Sequence, residues 1–170
     1  MQRAAVAVCA LLIAVLALLI AGCGFHSRGA AVDASVTSAY VRADRSVAIT
    51  NELTRVLRQS GVEVLDSAEQ ASVVIDLLEQ QQNDRTVSYT DRATTAEIQL
   101  EQAVRFQIDG PEEKSLVAER WARATRTYLV DTRNLVGSNQ QQRLLRAEIG
   151  TDLVQQIMRS LSTATRAKAP

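Results

Sequence analysis

The sequence predicts an α+β domain: two amphipathic helices packed on one face of a four-stranded mixed sheet, in the order β-α-β-β-β-α. Three observations carry this. Residues 96–109 alternate apolar and polar side chains with a period of two. Residues 73–78 form a β-branched apolar run of central-strand character. Leu145, Ile149, Leu153, Ile157 and Leu161 recur every fourth residue, with Val154 and Met158 widening the stripe.

The chain opens with an address. Arg3 supplies a positive n-region and Ala4–Ile20 an apolar h-region, followed by the small pair Ala21-Gly22 and then Cys23. The h-region is long enough to begin spanning a bilayer, but a small-small-Cys end is not how an ordinary span finishes. Residues 1–22 therefore read as a lipoprotein signal peptide. Cys23 reads as the lipid attachment residue, carrying diacylglycerol and an N-acyl chain, with no other cofactor expected. More than one chain makes such an anchor stable, since a single acyl chain binds membranes only marginally. Residues 24–35 are small, polar and aperiodic and read as a tether. His26, the single histidine, lies in it.

The domain proper is expected over residues 36–162. Val36–Ala43 reads as a first strand. Asp44 or Ser46 is placed to cap a helix over residues 46–60, whose Ile49, Leu53, Val56 and Leu57 share one face. Gly61 follows at the position that favours a left-handed residue. Val62–Leu65 is a short apolar run. The strand from Val73 passes into the polar stretch Glu79–Arg85 and extends to Tyr89, with a turn near residues 90–94. In the alternating strand Gln102 and Ala103 interrupt the pattern, which predicts a bulge. Gly110-Pro111 makes a hairpin turn into a return strand over residues 116–129, with Trp121 and Tyr128 on opposite faces. Ser138 or Asn139 caps a helix to Ser162, and residues 163–170 read as a disordered tail.

Composition narrows the function. The chain has 170 residues, 19 basic and 19 acidic side chains, and two cysteines. Cys9 leaves with the signal and Cys23 is used by lipid, so the mature domain has no disulfide and rests on its apolar core. A balanced charge argues against a nucleic-acid binder. No phosphate-cradling Gly loop and no metal-spaced His/Cys/Asp cluster occurs, and a lone tether histidine lacks an orienting partner for catalysis. The expectation is a non-enzymatic protein.

Two zones could bind a ligand: Glu79–Arg85 with the turn bearing Arg92, and the run Arg120, Arg123, Arg126 and Arg133. Arginine takes phosphate in a bidentate way. The same arginines can equally form cross-strand ion pairs with Glu97, Glu101 and Asp109 on a solvated strand face.

Several pieces together resemble the LptE family of outer-membrane lipopolysaccharide-assembly lipoproteins. They are Ala21-Gly22-Cys23-Gly24-Phe25-His26-x-Arg28, Gly61-Val62-Glu63-Val64-Leu65-Asp66, Thr95-Ala96-Glu97 and Arg126-x-Tyr128. The resemblance implies a plug inside the lumen of the β-barrel LptD that supports assembly of that barrel, binds lipopolysaccharide and helps deliver it to the outer leaflet. It implies an outer-membrane location facing the periplasm and a 1:1 complex. Gly24 after the cysteine fits outer-membrane sorting. Basic lipopolysaccharide-contacting residues of the family align near Thr90 and Ser138, neither basic here, so Arg85, Arg92 and Arg133 stand as the contact candidates by proximity. The alternatives are a lipid-anchored periplasmic carrier or cell-wall-binding module, and a tethered hydrolase.

Overall fold

The computed structural model of the chain describes residues 36–89, 95–111, 115–131 and 134–168. The elements are β1 (Ser38–Ala43), α1 (Thr50–Gln59), β2 (Glu63–Leu65), a 3-10 turn (Ala68–Gln70), β3 (Val73–Tyr89), β4 (Thr95–Asp109), β5 (Ser115–Asp131) and α2 (Leu135–Lys168). The strands form one sheet in the order β2-β1-β3-β4-β5. β1 is parallel to both its neighbours, and β3, β4 and β5 are a long antiparallel meander. The class is the expected one, two helices on a mixed sheet, but the sheet has five strands, not four. The extra strand is β2, the Val62–Leu65 run. Only three of its residues pair with β1, too few for an alternation to show.

Helix α1 buries Leu53 and Leu57 completely. It starts later than expected because neither Asp44 nor Ser46 caps it. The Asp44 carboxylate instead accepts the Ser46 amide at 2.8 Å inside the preceding turn, and Thr50 at the helix start donates its hydroxyl to the Val47 carbonyl at 2.8 Å. Gly61 closes the helix at φ +84°, a conformation that costs a Cβ-bearing residue. For α2 the expected caps Ser138 and Asn139 lie inside the helix. Asn134 does the capping, its amide oxygen accepting the Gly137 N–H at 3.1 Å. The helix also runs on to Lys168, through most of the stretch expected as a tail. Thr165 is buried and donates to the Leu161 carbonyl at 3.1 Å, so this last part belongs to the packed domain.

The bulge expected at Gln102–Ala103 does not exist. Pairing runs unbroken from Glu79↔Arg105 to Thr86↔Ile98, and Gln102 sits between Gln82 and Ala124 in ordinary register. The ladder shifts instead at Leu77/Glu79 and Thr86/Ser88 against β3, and beyond Phe106 against β5. Gln102 thus stays on the helix-covered face, only 4% exposed. Its amide oxygen takes a 3.4 Å contact from Gln80, whose own oxygen accepts the Ala48 N–H. A buried polar residue that is bonded needs no interruption of the strand.

The core lies between the helices and this covered face. Ile75, Leu77, Leu100, Val104, Phe106 and Ile108 from β3 and β4 meet Leu53 and Leu57 of α1, and Ile149, Leu153, Ile157, Met158 and Leu161 of α2. Polar contacts pin the remaining length of α2. Arg146 pairs with Asp84 of β3 and donates to Gln82 at 2.9 Å. Arg126 of β5 pairs with Glu148 and Asp152. Gln156 does something different: its amide donates to the Arg123 carbonyl at 2.8 Å and accepts the Arg123 N–H at 3.3 Å. A helix side chain thereby stands in for a neighbouring strand on the free edge of β5.

Candidate interaction surface

Both helices pack on one side of the sheet, and among the described residues no layer covers the other side of β3, β4 and β5. Register decides what it displays. Glu79, Gln81, Asn83 and Arg85 of β3 stand beside Arg105, Ala103, Glu101 and Gln99 of β4, which stand beside Trp121, Arg123, Thr125 and Thr127 of β5. Arg105 spans all three strands, 3.2 Å from Glu79 and 2.8 Å from Glu119. Its guanidinium lies 5.9 Å from the Trp121 ring centre, and Arg123 lies 5.4 Å from the same ring. Trp121 is therefore flanked by two cations. Near β1, Arg42 lies 3.3 Å from the almost fully buried carboxylate of Asp76, which also accepts the Gln107 amide at 3.1 Å.

The arginines reach different ends. Trp121 and Tyr128 do fall on opposite faces, since Trp121 pairs with Arg105 and Tyr128 with Ile98. Residues three apart on a strand alternate faces. Arg123 accordingly points to the open face, while Arg120 and Arg126 point to the helix side. The ion pairs expected with Glu97, Glu101 and Asp109 are absent among the described residues. Glu97 accepts the Ser88 hydroxyl at 3.0 Å instead, and Asp109 faces Gln107.

Of the candidate site residues, Arg85 is exposed on the open face, its Nε 2.6 Å from the Gln99 amide oxygen. Cys23, Arg92 and Arg133 lie outside the described residues. The residues flanking the latter two, Tyr89, Thr95 and Asp131, are adjacent in register at one end of the sheet, the end where Arg85 lies. The same end carries the exposed Val87, Leu129, Leu135, Val136 and Leu144. Sequence reasoning missed this apolar tip and the Trp121 cluster. The signal for the cluster was the i,i+2 placement of Trp121 and Arg123 on one strand. Among the described residues no His/Cys/Asp/Glu group is arranged for a metal, and no helix is long and apolar enough to cross a membrane. This face presents hydrogen-bond donors, acceptors and a cation-flanked indole.

The fold and this surface define a class: a two-layer α+β domain whose sheet is covered on one side and open and polar on the other. The chain belongs to the LptE family, described as lipopolysaccharide-assembly, whose model matches residues 36–161. It is thus a lipopolysaccharide-assembly lipoprotein in the general sense. Among solved structures it is similar to lipoprotein B from Nitrosomonas europaea, with a TM-score of 0.69 and 24% identity, covering 85% of this chain and 94% of that one. It is also similar to the rare lipoprotein B from Shewanella oneidensis, with a TM-score of 0.66 and 22% identity over 78% and 99% of the two chains. A minor lipoprotein from Acinetobacter baumannii aligns with a TM-score of 0.61 and 23% identity over 75% and 92%. No curated protein sequence matches the chain.

Proposed function

We propose that this chain is a non-enzymatic outer-membrane lipoprotein that plugs the lumen of an LptD-type β-barrel, helps that barrel assemble and binds lipopolysaccharide. Acylation of Cys23 would hold it at the periplasm-facing side of the membrane. The observation that carries the reading is the open face of β3–β5, because barrel lumens are polar and this face offers polar side chains along three long strands. Arg85, Arg92 and Arg133 remain the candidate set for the lipopolysaccharide phosphates. Arg85 is supported by its exposure and by having, among the described residues, only a neutral partner in Gln99. Affinity purification of the intact lipoprotein from detergent-solubilised outer membrane, with mass identification of what accompanies it, tests the reading. A stoichiometric large β-barrel is expected. Recovery of the lipoprotein alone or with peptidoglycan fragments would replace the plug with a carrier or cell-wall-binding module.

A further inference from the structure

A groove of about 540 Å³ runs between the first half of β5 and the last turns of α2. Apolar side chains including Phe106, Leu116 and Ala164 line it together with the polar Ser160 and Thr163, and Arg120 and Arg159 border it. Neither rim arginine has an acceptor among the described residues, although Arg42, Arg105, Arg126 and Arg146 are all ion-paired. Two guanidinium groups without an acceptor among the described residues, beside a groove of mixed apolar and hydroxyl lining, complement an amphiphile with a phosphate at one end and hydrocarbon at the other. The groove lies away from Arg85. Asp109, Ser115 and Val74 share one end of the sheet with Ala39, so it opens towards the end where the chain enters at Val36. Cys23 precedes Val36 by thirteen residues, at most about 45 Å of extended chain, which puts the groove within reach of the surface of a bilayer holding that anchor.

We infer that this groove binds an anionic glycerophospholipid of the anchoring leaflet, with the phosphate on Arg120 and Arg159 and one acyl chain along Leu116, Phe106 and Ala164. A many-chained glycolipid is too large for the trough, which is why the site is assigned to a glycerophospholipid. Choosing the anchoring leaflet as its source rests on the acylation proposed for Cys23.

The test is native mass spectrometry of the full chain purified from membranes in a maltoside detergent and titrated with dihexanoyl phosphatidylglycerol. One bound lipid per chain is expected. In the Arg120→Ala/Arg159→Ala double variant its affinity should fall at least about tenfold, the scale of losing charge-assisted hydrogen bonds, with an unchanged thermal melt. Ala164→Leu, which narrows the groove and leaves both arginines, should also weaken the lipid, while Arg58→Ala on α1 should not. Inorganic phosphate and uncharged dihexanoylglycerol should each bind more weakly than the phospholipid. Equal binding by the double variant, or equal binding of phosphate alone, would overturn the inference. So would displacement by lipid A at equal or lower concentration, which would hand the groove to lipopolysaccharide. The same spectra report the mass of the chain itself. An acylated chain that takes no phospholipid sinks the groove alone. A chain with no acyl mass that still binds phospholipid sinks the Cys23 assignment and leaves the groove.

Discussion

Arg126 of β5 and Asp152 of α2 form an ion pair across the helix–sheet interface, with Glu148, one turn earlier, 3.5 Å from the Arg126 Nε. The pairing holds the Arg126 guanidinium above its ordinary pKa, chiefly through the Asp152 hydrogen bond and charge. It also removes Arg126 from the set of arginines free to meet a phosphate. Both partners are more than a third exposed, so solvent screens the pair. A double-mutant cycle of Arg126→Ala with Asp152→Ala should give a coupling of about 0.5–1 kcal/mol. If the chain binds lipopolysaccharide as proposed, Arg126→Ala should bind it at the parent level.

The open face should be separable from the fold. Glu101→Lys with Arg123→Glu reverses two charges there, and Arg123 has no ion pair to lose among the described residues. The thermal melt should move by no more than a few degrees, since surface substitutions usually cost within about 0.5 kcal/mol. Under the proposed plug function, co-purification with a β-barrel should drop sharply. An intact complex would remove this face from the interface.

Leu53 of α1 and Leu153 of α2 belong to one shared core, both fully buried. Leu153→Ala should cost about 2–5 kcal/mol, the transfer term plus the cavity left behind. Denaturant unfolding of the domain reads this directly. A loss under about 1 kcal/mol would mean the two layers can close over the space.

Gly61→Ala isolates backbone strain. A Cβ there meets nothing within 4 Å, yet φ is +84°. The expected cost is about 1 kcal/mol, from the left-handed conformation alone. Gly61→Asn should cost less, because asparagine tolerates that region better.

Tyr128 is raised above its ordinary 10.0 by burial first and by the Asp84 charge second, with Arg146 opposing. A raised value means the fold favours the neutral phenol. This stabilisation is complete below pH 10 and is lost as pH climbs through the higher folded value. In a phenolate absorbance titration Tyr128→Phe should remove a component that ionises above the ordinary tyrosine value. Asp44 and Glu52 behave oppositely. Ser46 holds the Asp44 carboxylate below 3.8 and Arg55 holds that of Glu52 below 4.5. Their contributions are present above those values and are lost as pH falls through the lower folded ones.

The sequence by itself determined the helices, the long strands and the faces they bury. Period-two alternation from Ala96 to Ile108 and the fourfold spacing from Leu145 to Leu161 are properties of the chain, and each dictates which side of an element can meet a core. It also determined that Trp121 and Tyr128 part to opposite faces, since strand parity is a matter of counting. Only the tertiary structure decided what the polar residues do. Gln102 looked like an interruption because a polar residue on a buried face breaks the pattern, yet Gln80 reaches it across the strand pair. Counting along β5 already splits Arg120, Arg123 and Arg126 between two faces. What waits on each face, a groove, an indole or Asp152, depends on which helix packs there. β2 became a strand because β1 offered it a parallel edge. Asn134 capped α2 because the helix began at Leu135, before either residue that looked like a cap. Partners distant in sequence set these outcomes, and local pattern contains no record of them.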